Sequence, residues 1–271
     1  MDAGRVPRAQ YAAVLIDEGH DFELEWFRLL VQMIDPATKA LLLLYDNAQD
    51  IYGERRSPAF SWASVGIEAK GRTTILRVNY RNTIEALGFA YRFVSAHLGE
   101  SSANAEIPLV RPEFGGRSGA MPEIRGWANA KQELDHIATW LRDRASASTA
   151  FSQMAVLCRF RNQIEPVRRG LAERGVPVDS AETLAYGAKG IDPAVETVKV
   201  LTMHSSKGLE FSCVAVPDLG CMPHSKAPQA EEARLLYVAF TRATDNLLVT
   251  YHSESQFTRQ CVGLQETALA A

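Results

Sequence analysis

The sequence is poor in cysteine, in long apolar runs and in charge imbalance, and each shortage removes a class of protein. Cys158, Cys213, Cys221 and Cys261 are its four cysteines, and they lie far apart in none of the spacings that ligate a metal. A reduced, cytoplasmic protein is the expectation. No apolar run approaches the roughly 20 residues needed to cross a bilayer, and the run LLLLY at 41–45 has the length of a strand. The opening MDAGRVPRAQ contains no apolar targeting segment. With 29 Lys and Arg against 32 Asp and Glu, the net charge is −3. The chain as a whole therefore does not attract polyanions, and any contact with nucleic acid has to come from local basic groups. Internal repeats and low-complexity tracts are absent. So is any G-x-x-x-x-G-K-[ST] loop, the backbone cradle that holds a nucleotide's phosphates.

What is present fits a folded protein of one or two domains: 271 residues, 46% apolar and 23% charged. Apolar runs of strand length alternate with segments of helical periodicity, which predicts an α/β fold, a parallel sheet covered by helices. AAVLI (12–16), a helix over 22–34 closed by Asp35-Pro36, and KALLLLYD (39–46) form one strand, helix, strand unit. A second domain is expected from residue 73, with TTILRVN (73–79) as a strand and 81–98 as an amphipathic helix. Residues 99–122 are rich in Gly, Pro and Ser and read as a surface excursion. EIRGWA, KQELDHIATWLRDRA and QMAVLCRF then repeat the strand, helix, strand order, followed by a helix over 164–175. TVKVLTM (197–203), SCVAVPDL (212–219), a helix around 231–243 and NLLVTYH (246–252) complete the sheet, and the tail from Ser253 reads as frayed.

Chemistry-bearing residues fall at the ends of these elements. Asp17 and Glu18 follow the run VLI, so on a central parallel strand both carboxylates emerge at its C-terminal end, where α/β sheets bind ligands. One can hold a magnesium ion and the other take a proton from water; alternatively, they or Asp21 form an acidic N-cap for the helix that starts near Phe22. Gln49 lies just past the next strand, and Tyr52, Arg55 and Arg56 offer a ring and two cations, a combination that grips single strands or is simply solvated. Tyr80 and Arg81 open a helix where a ring can stack on a base and a guanidinium can meet a phosphate. In TMHSSKGLEF (202–211), the turn through Lys207 and Gly208 offers donors to an oxyanion, and Glu210 can accept from a ribose hydroxyl. His204 is open to three readings: neutral core residue, phosphate donor or exposed side chain. Arg242 sits between a helical pattern and a buried-strand pattern in EEARLLYVAFTRATDNLLV, a place from which it can reach a phosphate at a domain interface.

Taken in order, VLIDEGHD, YDNAQDIYGERR, LRVNYRN, VKVLTMHSSKGLEF and EEARLLYVAFTRA resemble motifs II through VI of the UvrD/Rep helicase family, superfamily one. The resemblance spans roughly residues 12–250. It implies a P-loop NTPase of the RecA-like kind: one complete domain (73–271) beside the remainder of a first (1–72), without the large accessory insertion of UvrD and Rep. Asp17 would then coordinate Mg2+, Glu18 activate water, and Gln49 sense the γ-phosphate of ATP. Tyr80 would stack on adenine, Arg81 and Arg242 clamp the γ-phosphate, and Glu210 contact the ribose. Tyr52, Arg55 and His204 would face single-stranded DNA. The implied activity is 3′ to 5′ movement on DNA coupled to ATP hydrolysis.

Three departures qualify these expectations. Gly19 and His20 replace the middle of the family's D-E-A-Q-D motif, and Glu54 stands where a base-stacking aromatic is usual. The first domain lacks its Walker A segment, so the polypeptide as given is expected to bind ATP poorly. A non-catalytic binding module descended from such a helicase is the alternative reading. A metal-dependent nuclease using Asp17 and Glu18 is a third, disfavoured because no further carboxylate or lysine in nuclease spacing follows the last motif.

Overall fold

A computed structural model of the chain describes residues 7–46, 61–76, 78–98, 113–147, 149–179, 192 and 194–269. The chain divides into two compact units, the first of which reaches Leu76.

In the first unit, β1 (Ala13–Ile16), α1 (Leu24–Met33) and β2 (Ala40–Leu43) form the crossover unit expected of a strand, helix, strand sequence. β1 and β2 pair in parallel, with Ala13 opposite Ala40 and Ile16 opposite Leu43. Ile16 and Phe27 face a core completed by Trp62, Val65 and Ile67. Phe27 and Tyr45 both stand edge-on to the Trp62 ring at 5.5 Å. On the other face of the pair, Leu15 is 73% exposed and Leu42 52%. The period of two thus buries one face of β1 and β2 and leaves the other apolar but uncovered.

The second unit is built on a five-stranded parallel sheet in the order β5-β9-β8-β6-β7. Its strands are β5 (Glu123–Gly126), β6 (Met154–Cys158), β7 (Lys199–Thr202), β8 (Phe211–Val216) and β9 (Ala243–Tyr251). β6 reads MAVLC and is buried at every residue, the unbroken apolar run of a parallel strand covered on both faces. On one face lies α3 (Ala130–Ser146), capped by Asn129, whose side chain accepts from the Gln132 N–H at 3.0 Å. Its Ile137, Trp140 and Leu141 pack on Met154, Val156, Val200 and Ala215, with α4 (Arg161–Glu173) adding Leu171. The other helical layer holds α2 (Ile84–Ser95), α5 (Gln229–Thr241) and α6 (Gln256–Leu269). There Phe240 meets Phe89 at 5.4 Å and Phe93 at 5.7 Å, and Phe257 meets Phe93 at 5.1 Å.

Three expectations are corrected. The tail is a helix, α6, with Phe257 and Cys261 fully buried. TTILRVN yields only β3 (Val78–Asn79), while Ile75 and Leu76 lie exposed at 44% and 83%: apolar residues do not make a strand without a ladder partner. The partner of β3 is β4 (Glu113–Phe114), with Val78 opposite Glu113, so the end of the segment read as a surface excursion is pinned to the chain before α2. No helix among the described residues is long and apolar enough to cross a membrane.

Candidate functional site

The carboxylates of the first unit stand at the C-terminal end of β1, as the strand pattern predicts. Asp17 is exposed and accepts the Glu18 N–H at 2.9 Å, while Glu18 takes a left-handed backbone (φ 51°). His20, 2% exposed, supports the pair. Its Nδ1 accepts the Asp46 N–H at 3.2 Å, which leaves the proton of a neutral ring on Nε2, 3.0 Å from the Glu18 carboxylate. The histidine thus joins the end of β2 to Glu18. The acidic N-cap reading does not hold for α1: its N-cap position is Glu23, which makes no side-chain cap. Among the described residues no group of three or more His, Cys, Asp or Glu can hold a metal. Two adjacent carboxylates are the donor type that holds magnesium together with phosphate oxygens and water rather than in an all-protein cage. Gln49, Tyr52 and Arg55 lie outside the described residues.

In the second unit, parallel register separates the predicted residues onto two edges of the sheet. Phe211 is opposite Ala243, so Glu210 and Arg242, which immediately precede them, share the edge where strands begin. The Tyr80–Arg81 corner joins them there. Arg81 Nε lies 2.6 Å from Glu210 Oε1, with both side chains a little under half exposed. Tyr80 is 73% exposed, its ring lifted by the segment after β4. Gly115 donates to the Asn79 carbonyl at 2.8 Å, and a Cβ at Gly115 would sit 2.5 Å from that oxygen and 2.8 Å from the Tyr80 ring. Only glycine allows this approach.

Arg242 is 1% exposed: Nε donates to the Val238 carbonyl and Nη1 to the Leu209 carbonyl, each at 3.1 Å. The guanidinium therefore closes the end of α5 in this state, and reaching a phosphate requires its head to turn outward. In the turn before β8, the N–H groups of Ser206, Lys207 and Leu209 donate within the turn, and Gly208 takes φ 78°. The half-buried Lys207 and exposed Gly208 lie beside the Glu210 backbone.

The opposite edge, where strands end, carries His204. Cys158 pairs with Thr202, so Arg159 and the His204 turn lie side by side. Crowding around the ring lowers the His204 pKa, the Arg159 guanidinium lowers it further, and Glu232 opposes both. Arg159 binds Glu232 through Nε at 3.0 and 3.1 Å and through Nη2 at 2.5 Å, and Glu232, 2% exposed, also accepts the His224 N–H at 3.1 Å. Nearby, the buried Glu133 accepts from the Asp218 N–H at 2.7 Å and Thr250 Oγ1 at 2.6 Å, and meets His252 Nδ1 at 2.5 Å. Burial, above all, raises the Asp218 pKa.

Sequence reasoning missed three participants. Arg159 and Glu232 frame His204 but sit in segments that read as plain strand and helix. Asn82 directly follows the singled-out Tyr80 and Arg81, yet only the fold brings its carboxamide to the carbonyls on either side of Arg242.

Comparison with known proteins agrees with these segments. Residues 180–254 match the UvrD-like helicase C-terminal domain. The chain is 25% identical over 175 residues to the ATP-dependent DNA helicase HMI1, mitochondrial, of Saccharomyces cerevisiae, covering 63% of this chain and 24% of that protein. It is 25% identical over 256 residues to a probable DNA helicase of Mycoplasma pneumoniae, covering 90% of this chain and 44% of the relative. A solved C-terminal domain of a possible DNA helicase from a Lactobacillus strain, WCFS1, superposes with a TM-score of 0.48 at 18% identity, over 66% of this chain and 92% of that one. The chain thus spans less than half the length of these two relatives. The match over 180–254 to the UvrD-like helicase C-terminal domain thus falls on the last two of the ordered motifs and on the strands and helix that carry them.

Proposed function

We propose that this chain is the C-terminal part of an ATP-dependent 3′ to 5′ DNA helicase or translocase. The second unit carries residues suited to contact a nucleotide, and the first is the remainder of a RecA-like domain. The observation that carries the reading is convergence: the Tyr80–Arg81 corner, Glu210 and the turn of Arg242 are far apart in sequence and meet at one sheet edge. Tyr80 offers an open ring to an adenine, Arg81 and Arg242 offer charge to a γ-phosphate, and Glu210 offers an acceptor to a ribose. Asp17 would hold Mg2+, Glu18 would take the proton of the attacking water, and Gln49 would report the phosphate; the bound nucleotide supplies the phosphoryl group to be transferred.

His204, on the far edge, would face a single strand, the role that the resemblance also implies for Tyr52 and Arg55. Lys207 and Gly208 belong to the connection between the two edges, which suits a device that couples nucleotide state to DNA grip. The four free thiols fit a reducing, cytoplasmic setting. The 271-residue polypeptide alone contains no Walker A loop and is expected to bind ATP weakly; tight, magnesium-dependent binding in a titration overturns that point.

The test is DNA-stimulated ATP hydrolysis by a form extended upstream to include a Walker A loop. Arg81→Ala or Arg242→Ala should abolish stimulation while single-strand binding stays near normal, because each removes only a charge acting on the transferred phosphate. Full turnover by both variants refutes the assignment. If no upstream Walker A is encoded, a non-catalytic module that holds single strands is the reading that follows.

A further inference from the structure

We propose that Asn82 is a positioning residue that locks the corner bearing Tyr80 and Arg81 to the turn bearing Arg242, so that both arginines meet a nucleotide as one preset unit. The inference rests on the functional reading above and adds a residue to which no role is assigned there. Asn82 is 4% exposed, and its Nδ2 donates to the Thr241 carbonyl at 2.9 Å and to the Ala243 carbonyl at 2.7 Å. These are the two carbonyls that flank Arg242, and one NH2 group spends both of its protons on them. The other end of the amide is tied to the first turn: Asn82 Oδ1 accepts from Asn79 Nδ2 at 3.1 Å. Asn79 Oδ1 in turn accepts the N–H of Arg81 at 2.9 Å and of Asn82 at 3.0 Å. The backbone of each arginine is therefore held by the same pair of carboxamides.

A second tie runs alongside. Arg117 donates through Nη1 to the Arg81 carbonyl at 2.8 Å and pairs through Nη2 with Asp245, just beyond Arg242. The Arg117 side chain is 47% exposed, so solvent and salt weaken its tie, whereas the Asn82 bonds are buried. The same edge extends to Glu210, since the Phe211 N–H donates to the Arg242 carbonyl at 3.0 Å. Two cations acting on one phosphate lose most of their effect if one is misplaced by about 1 Å, which can cost on the order of a hundredfold in rate. A fixed spacing between the two turns is what the Asn79–Asn82 pair provides. The head of Arg242 can still turn outward, because Asn82 holds the backbone on both sides of it and not the guanidinium.

Two measurements test this. In the Walker A-containing form, Asn82→Ala should lower kcat for DNA-stimulated ATP hydrolysis about tenfold or more, with KM for ATP and single-strand affinity changed less than about twofold. Arg117→Ala should cost less. In an Arg242→Lys background, Asn82→Ala should cost less than in the parent, because the part of its effect that runs through the Arg242 guanidinium is already gone. Unchanged kcat, or the full loss repeated on top of Arg242→Lys, overturns the role. The second measurement needs no activity: amide hydrogen exchange on this chain. Asn82→Ala should speed exchange at 80–83 and 241–244 together while β6 stays protected. Unaltered exchange at 241–244 refutes the link, and so does loss of protection throughout, which marks a general fold residue. If Arg81→Ala and Arg242→Ala both retain full ATPase activity, the functional reading fails, and the exchange result still decides whether Asn82 joins the two turns.

Discussion

Glu232 is the residue on which the edge carrying His204 turns, and its removal has a calculable cost. The carboxylate, 2% exposed, takes three hydrogen bonds from Arg159 and one from the His224 N–H. Arg159 itself is only 14% exposed at its side chain. In Glu232→Ala, the guanidinium stays in place without its counter-charge and a backbone N–H loses its acceptor. Breaking a buried pair by removing one partner costs about 3–5 kcal/mol, because an uncompensated charge remains. At this domain size that corresponds to a fall in Tm of about 6–20 °C. Glu232→Gln keeps an acceptor and should cost less. The assay is urea unfolding followed on the second unit, with the double variant Arg159→Ala/Glu232→Ala included. Since the double variant buries no lone charge, its cost should be well below the sum of the two single ones. Additive costs, or a loss under about 1 kcal/mol for Glu232→Ala, would show that water already screens the pair and would refute the reasoning.

Two further outcomes follow from the same geometry. Arg159→Ala should raise the pKa of His204 and Glu232→Gln should lower it, because the guanidinium lowers that value and the carboxylate opposes it; an NMR titration of the ring reads both signs. As the folded pKa is depressed, the ring favours stability above the unfolded value of about 6.5, and that contribution is lost as pH falls towards the folded value. Phe257→Ala in α6 should destabilise the second unit by about 3–5 kcal/mol, since the ring is fully buried and meets Phe93 at 5.1 Å; a change under about 1 kcal/mol would return the tail to the frayed state read from sequence.

Most of the sheet was legible because parallel strands covered on both faces write unbroken apolar runs, as MAVLC does and as CVAV does within β8. Helix α2 was found but begins at Ile84, since Thr83 accepts from the Ala86 N–H and caps it. Helix α6 was missed because its buried stripe is narrow, Phe257 and Cys261 one turn apart. A local signal was nevertheless present: Ser255 Oγ accepts the Thr258 N–H, and Thr258 Oγ1 accepts the Ser255 N–H, a reciprocal cap that begins at the third residue of the supposed loose end. At the candidate site, residues singled out by their own chemistry, such as Asp17, Tyr80 and Arg81, are named from sequence. Those whose role depends on a distant partner are not. Asn82 and Glu232 meet carbonyls and cations far along the chain, and only the fold brings them together.

The central claim is that the second unit forms one wall of an adenine nucleotide site, with Tyr80 against the base. Photolabelling of the Walker A-containing form with an 8-azido adenine nucleotide, followed by peptide mapping, tests it most directly. The account predicts label on the peptide carrying Tyr80, competed by ATP and lost in Tyr80→Ala; ATP-competed label confined to other segments, with the Tyr80 peptide clean, would contradict it.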